Sequence, residues 1–413
     1  MNIPIIIVGI IFFLIAIRQL SGMKMQIWQI MAGGAVAVLM MGQISVTFAL
    51  QSINREVMLF LFCMFVIGAA LEESGYLSHL SYKLFRRAKN ESHLLLLILF
   101  GMGLASAILM NDTLAIIGTP VVLLLAKKHG IRPKVLLLAL CMAITIGSVA
   151  SPIGNPQNLL IASDKSMHNP FITFLLFLLV PTIINLFLAF LLLRLFYKEE
   201  FKNSILVHSQ EPIRDHSLTR LSKASLLVLI ALIILKILLA FFGTGAGISL
   251  TLIAALACLP VLIGSKKRLL LIRKVDWHTL LFFASMFIVM QSVWDTGFFQ
   301  HAISAMQLDI TSIPAIIGVS VVVSQFISNV PLVALYLPLL SHAGATATEL
   351  MALAAGSTIA GNLLILGAAS NVIVIQNAEK KSGESITFLE FARIGVPLTI
   401  LNIAVYWLFL SFL

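Results

Sequence analysis

Four short polar motifs interrupt long apolar runs in this chain. They are Met110-Asn111-Asp112-Thr113, Ser151-Pro152-Ile153-Gly154-Asn155-Pro156-Gln157-Asn158, Ser328-Asn329-Val330-Pro331 and Gly367-Ala368-Ala369-Ser370-Asn371. Asn side chains, together with carbonyls freed from helical bonding, are hard oxygen donors of the kind that coordinates sodium. Asp112 places a carboxylate beside one of these motifs. It can hold a coupling cation, carry a proton, or cap the helix that follows. Half-helices starting near Leu159 and Val372 would turn their positive amino ends toward the same places, which favours an anion. Pro152 and Pro156 forbid a continuous helix through the second motif. The chemistry is therefore coordination of ions and small solutes. No H-E-x-x-H, no G-x-S-x-G elbow and no paired intramembrane carboxylates occur in the sequence, which makes an intramembrane hydrolase a remote alternative. No Walker-type glycine loop occurs either, so the drive should come from an ion gradient.

The elements that must position these motifs lie in lipid. Hydrophobic residues make up 60% of the 413 and charged residues 11%, more apolar surface than a soluble interior can hide. Hydrocarbon offers no hydrogen bonds, so non-helical backbone at depth survives only around a protein-enclosed or wet cavity. Hydropathy predicts spans over 3–17, 26–43, 56–71, 135–161 and 171–193, then 224–242, 247–264, 277–293, 347–376 and 394–412. The 3–17 run has no basic segment before it and no small-residue cleavage site after it, so a retained span is expected. Segments 94–126 and 313–339 are each interrupted near the middle. Their arms fall short of a full span, so each reads as a hairpin entering and leaving on one side, although two short spans would give the same pattern. Cys63, Cys141 and Cys258 all lie inside apolar runs, which suits packing and excludes a disulfide framework or metal cluster.

The interruptions come in pairs. Glu73-Ser74-Gly75 recurs as Asp295-Thr296-Gly297, Asn111 and Pro120 as Asn329 and Pro338, Gly154 and Asn158 as Gly367 and Asn371, and Pro181 as Pro397. The separations are nearly constant, the mark of an internal repeat. The expected fold is an all-α membrane protein of two repeats, each with five spans, a re-entrant hairpin and a broken helix. Five is odd, so the second repeat is inverted, an architecture of secondary transporters. The repeats cover 1–196 (hairpin 94–126, broken helix 135–161) and 224–413 (hairpin 313–339, broken helix 347–376), joined by a linker over 197–223. Under these spans only Arg55 and Lys165 fall on one side and Lys236 lies within a span. All the other Lys and Arg, of 27 in total, fall on the opposite side. That side is cytoplasmic by the positive-inside rule, with both termini on the periplasmic or extracellular side of the inner (plasma) membrane. The net charge of +10 is thus topological, and no nucleic-acid partner is expected.

The runs NDTLAIIGTPVVLLLA (111–126), SPIGNPQNLLIA (151–162), SNVPLVALYLPLL (328–340) and GNLLILGAASNVIVI (361–375) resemble the ion-transporter superfamily over nearly the whole chain. The likeness is greatest to its citrate-transporter-like and arsenite-permease-like branch, with divalent anion–sodium symporters and NhaD-type antiporters as relatives. The Asn111-Asp112 pair resembles arsenite permeases more than the Ser-Asn-Thr tips of dicarboxylate symporters, and neither tip reads Ser-Asn-Thr. The resemblance implies that Asn111, Asp112 and Thr113, with Ser328 and Asn329, line the ion and substrate sites. Gly154, Asn155 and Asn158, with Gly367, Ser370 and Asn371, would face them from the broken helices. Sodium is the expected coupling ion at Asn111, Asn158, Asn329 and Asn371, with no other cofactor. A small anionic substrate and the lipid bilayer are the expected partners, and a homodimer is compatible with them. The expected function is sodium- or proton-coupled transport of a small anion or oxyanion. A sodium/proton antiporter is the alternative.

Overall fold

The computed structural model describes residues 2–17, 25–162, 164, 167, 169–201, 213–241, 249–298 and 311–412. Lys165 lies outside them. The described residues form α-helices and short 3-10 turns, with no strand among them. The first half begins with α1 (Ile3–Ile17) and α2 (Ile27–Met40), then a short α3 (Val46–Ser52), α4 (Arg55–Glu73) and α5 (Tyr76–Phe85). It continues through α6 (Glu91–Leu109), α7 (Asn111–His129), α8 (Pro133–Ser148), α9 (Pro156–Ala162) and α10 (Pro170–Phe196). The second half has α11 (His216–Phe241), α12 (Leu250–Gly264), a short α13 (Arg268–Arg273) and α14 (Trp277–Trp294). After these come α15 (Ile313–Ile327), α16 (Asn329–His342), α17 (Ala347–Ile359), α18 (Ala369–Ser382) and α19 (Phe388–Ser411). Among the described residues, α6, α10, α14, α19 and the His216–Lys236 part of α11 are long and apolar enough to cross a bilayer.

Polar side chains set where the helices begin. Asn54 caps α4 by accepting from the Val57 amide, Asn90 caps α6 through His93, and Asp276 caps α14 through Thr279. At α19, Thr387 and Glu390 form a reciprocal capping box. Asp215 accepts from the Leu218 amide at the start of α11 and pairs with Lys267, and these two partners hold its carboxyl below the usual range.

Hydrophobicity on every side sends two helices to the centre. All of α8 from Val135 to Ser148 and all of α17 from Leu350 to Ile359 are buried, whereas α10 exposes Leu175, Leu176, Ile183, Phe187 and Leu195 outward, where lipid takes them. Small residues allow the central helices to approach closely, as membrane packing requires. A Cβ on Gly147 would lie 1.9 Å from the Gly103 carbonyl oxygen of α6, and one on Gly356 would lie 2.9 Å from the Ile317 Cα of α15. The helices α1, α2 and α14 pack as one outer group and α4, α11 and α12 as another, the two touching through α4 and α14 and together making a frame. The hairpins α6–α7 and α15–α16, the broken helices α8–α9 and α17–α18, and the final helices α10 and α19 form a core.

The hairpins are longer than hydropathy indicates. The first has arms of 19 residues each because α6 starts in Glu91-Ser92-His93 and α7 runs on through Lys127, Lys128 and His129, polar ends that an apolar count omits. Its tip nonetheless stops at the level of the first helix break, where the Asn111 amide donates to the Gly154 carbonyl at 3.0 Å. The chain then needs α9 to reach Asp164. There Ser341, in the last turn of α16, donates to the Asp164 carboxylate at 2.9 Å. The polar stretch after α10 is likewise shorter than its composition suggests, since α11 already starts at His216.

Each hairpin turns on one residue with left-handed φ. Met110 has φ 67° and Ser328 has φ 70°, the two non-glycine residues of this kind among those described. Replacing Ser328 by Gly should hold or raise the melting temperature in detergent. Ser328→Val should lower it, because a β-branched side chain is strained there by about 1–3 kcal/mol. In the same assay Gly147→Ala should destabilise by about 1–3 kcal/mol by pushing on rigid backbone, whereas Gly33→Ala, with no atom within 4 Å of the added carbon, should be near neutral.

Candidate functional site

The first break, Val149 to Asn155, is held together by its own side chains. Asn155 Oδ1 accepts from the Asn158 amide at 2.8 Å, while its Nδ2 donates to Ser148 Oγ at 3.2 Å and Thr358 Oγ1 at 3.1 Å. Asn158 Nδ2 donates to three freed carbonyls, those of Ser148, Val149 and Ser151, at 3.1, 3.4 and 3.0 Å. Its Oδ1 accepts from Thr358 Oγ1 at 3.1 Å. Thr358 belongs to α17, so the two halves of the chain close this break together. Gly154 is required because a Cβ there would sit 2.2 Å from the Ser148 carbonyl oxygen. At the adjoining tip Asn111 is buried, and its Oδ1 accepts from the Asp112 amide at 2.8 Å. Thr113 is buried beside it, and Asp112 is half-buried, with Oδ1 enclosed and without a donor among the described residues.

The second break runs through two 3-10 turns, Ala360–Asn362 and Ile365–Gly367. Asn371 Nδ2 donates to the Gly361 carbonyl at 2.6 Å, and Gln325 Nε2 of α15 donates to the Ala360 carbonyl at 2.9 Å. Gly367 is again obligatory, since a Cβ would meet the Ala360 carbonyl at 2.5 Å and Gln325 Oε1 at 2.8 Å. What differs is the remaining oxygens. Asn371 Oδ1, Ser370 Oγ, Asn329 Oδ1, Gln325 Oε1 and Thr145 Oγ1 are all buried with no hydrogen-bond partner among the described residues. Thr145 stands to Asn371 as Thr358 stands to Asn158, yet only the second pair is bonded. Of the four asparagines expected to hold sodium, Asn111 and Asn158 have their Oδ1 atoms committed, while Asn329 and Asn371 have theirs free of donors.

The structure thus joins Asn111 to Gly154, and Asn155 to Asn158. It sets Gly367 against the second hairpin arm through Gln325. No hydrogen bond among the described residues links the side chains of Ser328 or Asn329 to Ser370 or Asn371. No cluster of three His, Cys, Asp or Glu able to hold a metal is found among the described residues.

Sequence reasoning missed Thr145, Thr358, Gln325 and a second polar network. In that network Asn362 Nδ2 donates to Asn402 Oδ1 at 3.0 Å, and Asn402 Nδ2 donates to Asn185 Oδ1 at 2.8 Å. Nearby, Thr182 Oγ1 and the Tyr406 hydroxyl share a hydrogen bond of 2.8 Å. The repeat itself was the available signal. Thr145 and Thr358 are as far apart as Gly154 and Gly367, and Asn185 and Asn402 follow Pro181 and Pro397 at almost the same distance.

Comparison with known proteins gives one consistent answer. Residues 10–350 match the family model described as citrate transporter. A 46 kDa membrane protein of Mycobacterium leprae is 30% identical over 87% of this chain and 86% of its own length. A silicon efflux transporter of Oryza sativa is 27% identical over 90% of each. The crystal structure of the YdaH transporter of Alcanivorax borkumensis, described as having an unusual topology, aligns with a TM-score of 0.50. The alignment covers 89% of this chain and 86% of that one at 16% identity, a likeness of fold. A chain whose described residues are mostly helical, with apolar helices that face lipid, and which is matched over most of its length by these proteins, belongs to the citrate transporter family and is a multi-pass membrane transporter.

Proposed function

We propose that this chain is a secondary active transporter that moves a small anion or oxyanion across the inner membrane, coupled to a sodium or proton gradient, with its basic face toward the cytoplasm. The observation that carries this reading is the set of donor-less oxygens around the second break. A buried carbonyl or hydroxyl oxygen without a partner costs about 1–3 kcal/mol; four of them belong to Asn371, Ser370, Gln325 and Thr145, and Asn329 Oδ1 is a fifth at the tip of the second hairpin. A bound hard cation offsets that cost for several oxygens at once. Beside them, α18 begins at Ala369, and its first-turn amides favour a negative charge. A cation and an anion recognised side by side are the substrates of a symporter.

The citrate of the family's name suggests a carboxylate, and the silicon efflux of the rice relative widens the range to oxygen-rich solutes in general. The contact of Ser341 with Asp164 supports the inverted arrangement. It sets the open end of the second hairpin at the far end of the first broken helix, while the first hairpin opens where that helix begins. The split into frame and core suits movement of the core past the frame, by elevator or rocking motion.

A second reading, sodium/proton antiport, draws on Asp112, whose enclosed Oδ1 can take up a proton. Melting temperatures in sodium against potassium, combined with citrate uptake into proteoliposomes under a sodium gradient, test both readings. Asn329→Ala and Asn371→Ala should each weaken sodium stabilisation by about ten-fold or more, the loss of one good ligand, and should abolish uptake. Undiminished sodium-driven uptake in both variants would remove the second break from the mechanism. Sodium stabilisation with proton release and no response to any anion would select antiport.

A further inference from the structure

A cavity of about 410 Å³ opens on the basic face between frame and core. Phe65, Gly68 and Ala69 of α4 form one wall, and Ile116 and Pro120 of α7 with Asn377 of α18 form the other. The inner end is near the site. Asn377 Nδ2 donates to the Ile116 carbonyl at 3.4 Å. These residues lie six positions along α18 from Asn371 and five along α7 from Asn111, distances of about 9 and 8 Å at helical rise.

The rim is charged in an unequal way. Its three carboxylates are all engaged: Glu73 with Lys274, Glu72 with Lys381, and Asp276 with Lys380 at 3.5 Å. Arg214 and Arg273 line the same mouth without a carboxylate of their own among the described ion pairs. Five cations against three anions leave two positive charges in excess. The two pairs made by α18 differ from the third in what they connect. Lys380 and Lys381 sit at the carboxyl end of the helix whose amino end carries Ser370 and Asn371, while Glu72 and Asp276 belong to α4 and the cap of α14 in the frame. Lys380 also donates to the Val275 carbonyl at 3.0 Å, and Gln376, one turn earlier on α18, accepts from Thr279 of α14 at 2.7 Å. These contacts tie the core to the frame at the mouth of the cavity, and the core cannot shift until they part.

We propose that this cavity is an inner vestibule that binds a small oxyanion or carboxylate, and that Glu72 and Asp276 are built-in counter-anions which the incoming anion displaces from Lys381 and Lys380. The inference rests on the anion-transport reading above. The anion takes over both ammonium groups, Glu72 returns to solvent at the rim while Asp276 keeps its hydrogen bonds to Thr279, and α18 is released from α4 and α14 in the same event. The Glu72–Lys381 pair is partly exposed and worth at most about a five-fold shift in population, weak enough for a millimolar ligand to compete. Asp276 is buried, but it meets Lys380 only at 3.5 Å and keeps the Thr279 hydroxyl as a donor when Lys380 leaves. A cavity of this size holds a citrate- or phosphate-sized ion with its remaining water.

The test is the melting temperature of the purified protein as citrate or phosphate is raised at constant ionic strength. Glu72→Gln/Asp276→Asn should respond at about three-fold or more lower anion concentration than the parent. Lys380→Gln/Lys381→Gln should need at least about ten-fold more. Lys380→Arg/Lys381→Arg should restore the response, which a merely structural role for the lysines would not require. Identical responses in the parent and Lys380→Gln/Lys381→Gln would overturn the vestibule. A response lost in Asn371→Ala but untouched in Lys380→Gln/Lys381→Gln would also overturn it, while leaving the transport reading in place. No response to either anion in any variant, with sodium still stabilising, would overturn both.

Discussion

Backbone amides and carbonyls cannot be left bare in hydrocarbon, and the centre of this molecule is organised by that prohibition. Two helices, α8 and α17, stop inside the packed interior, and every group they release has to find a partner within the protein. At the first break Asn158 alone collects three carbonyls, and Asn155 ties the ends of the interrupted helix together. At the second, Asn371 and Gln325 each take one. The fully buried α8 and α17, the close glycine crossings and the outer belt of apolar side chains all serve to enclose these points.

The two breaks solve the same problem to different extents. Thr358 completes the first by reaching across from the other half, so donors and acceptors there are matched. Thr145, its counterpart, does not complete the second. Two breaks with matching sequence spacing thus differ in chemistry. The first is closed by its own hydrogen bonds, and the second keeps buried oxygens without donors among the described residues.

Much of this was legible in the sequence because helix breakers and asparagines are rare inside apolar runs. Pro152, Pro156 and the paired Gly154 and Gly367 located both breaks, and the spacing of Asn111 and Asn329 located both tips. Hydropathy blurred the hairpin arms, whose ends at Glu91 and Lys127 are polar yet helical. It could not show which asparagine oxygens would be committed, because that depends on partners such as Thr358 and Gln325 that lie far away in the chain. The left-handed backbone at Met110 and Ser328 was also invisible, since neither residue type advertises it.

The contact of Gly147 with the Gly103 carbonyl has a mechanical consequence. With no side chain between them, α6 and α8 mesh at backbone distance over a buried stretch. The first hairpin therefore cannot swing as an independent flap. Hairpin and broken helix are one stiff unit, and a displacement of either carries the other.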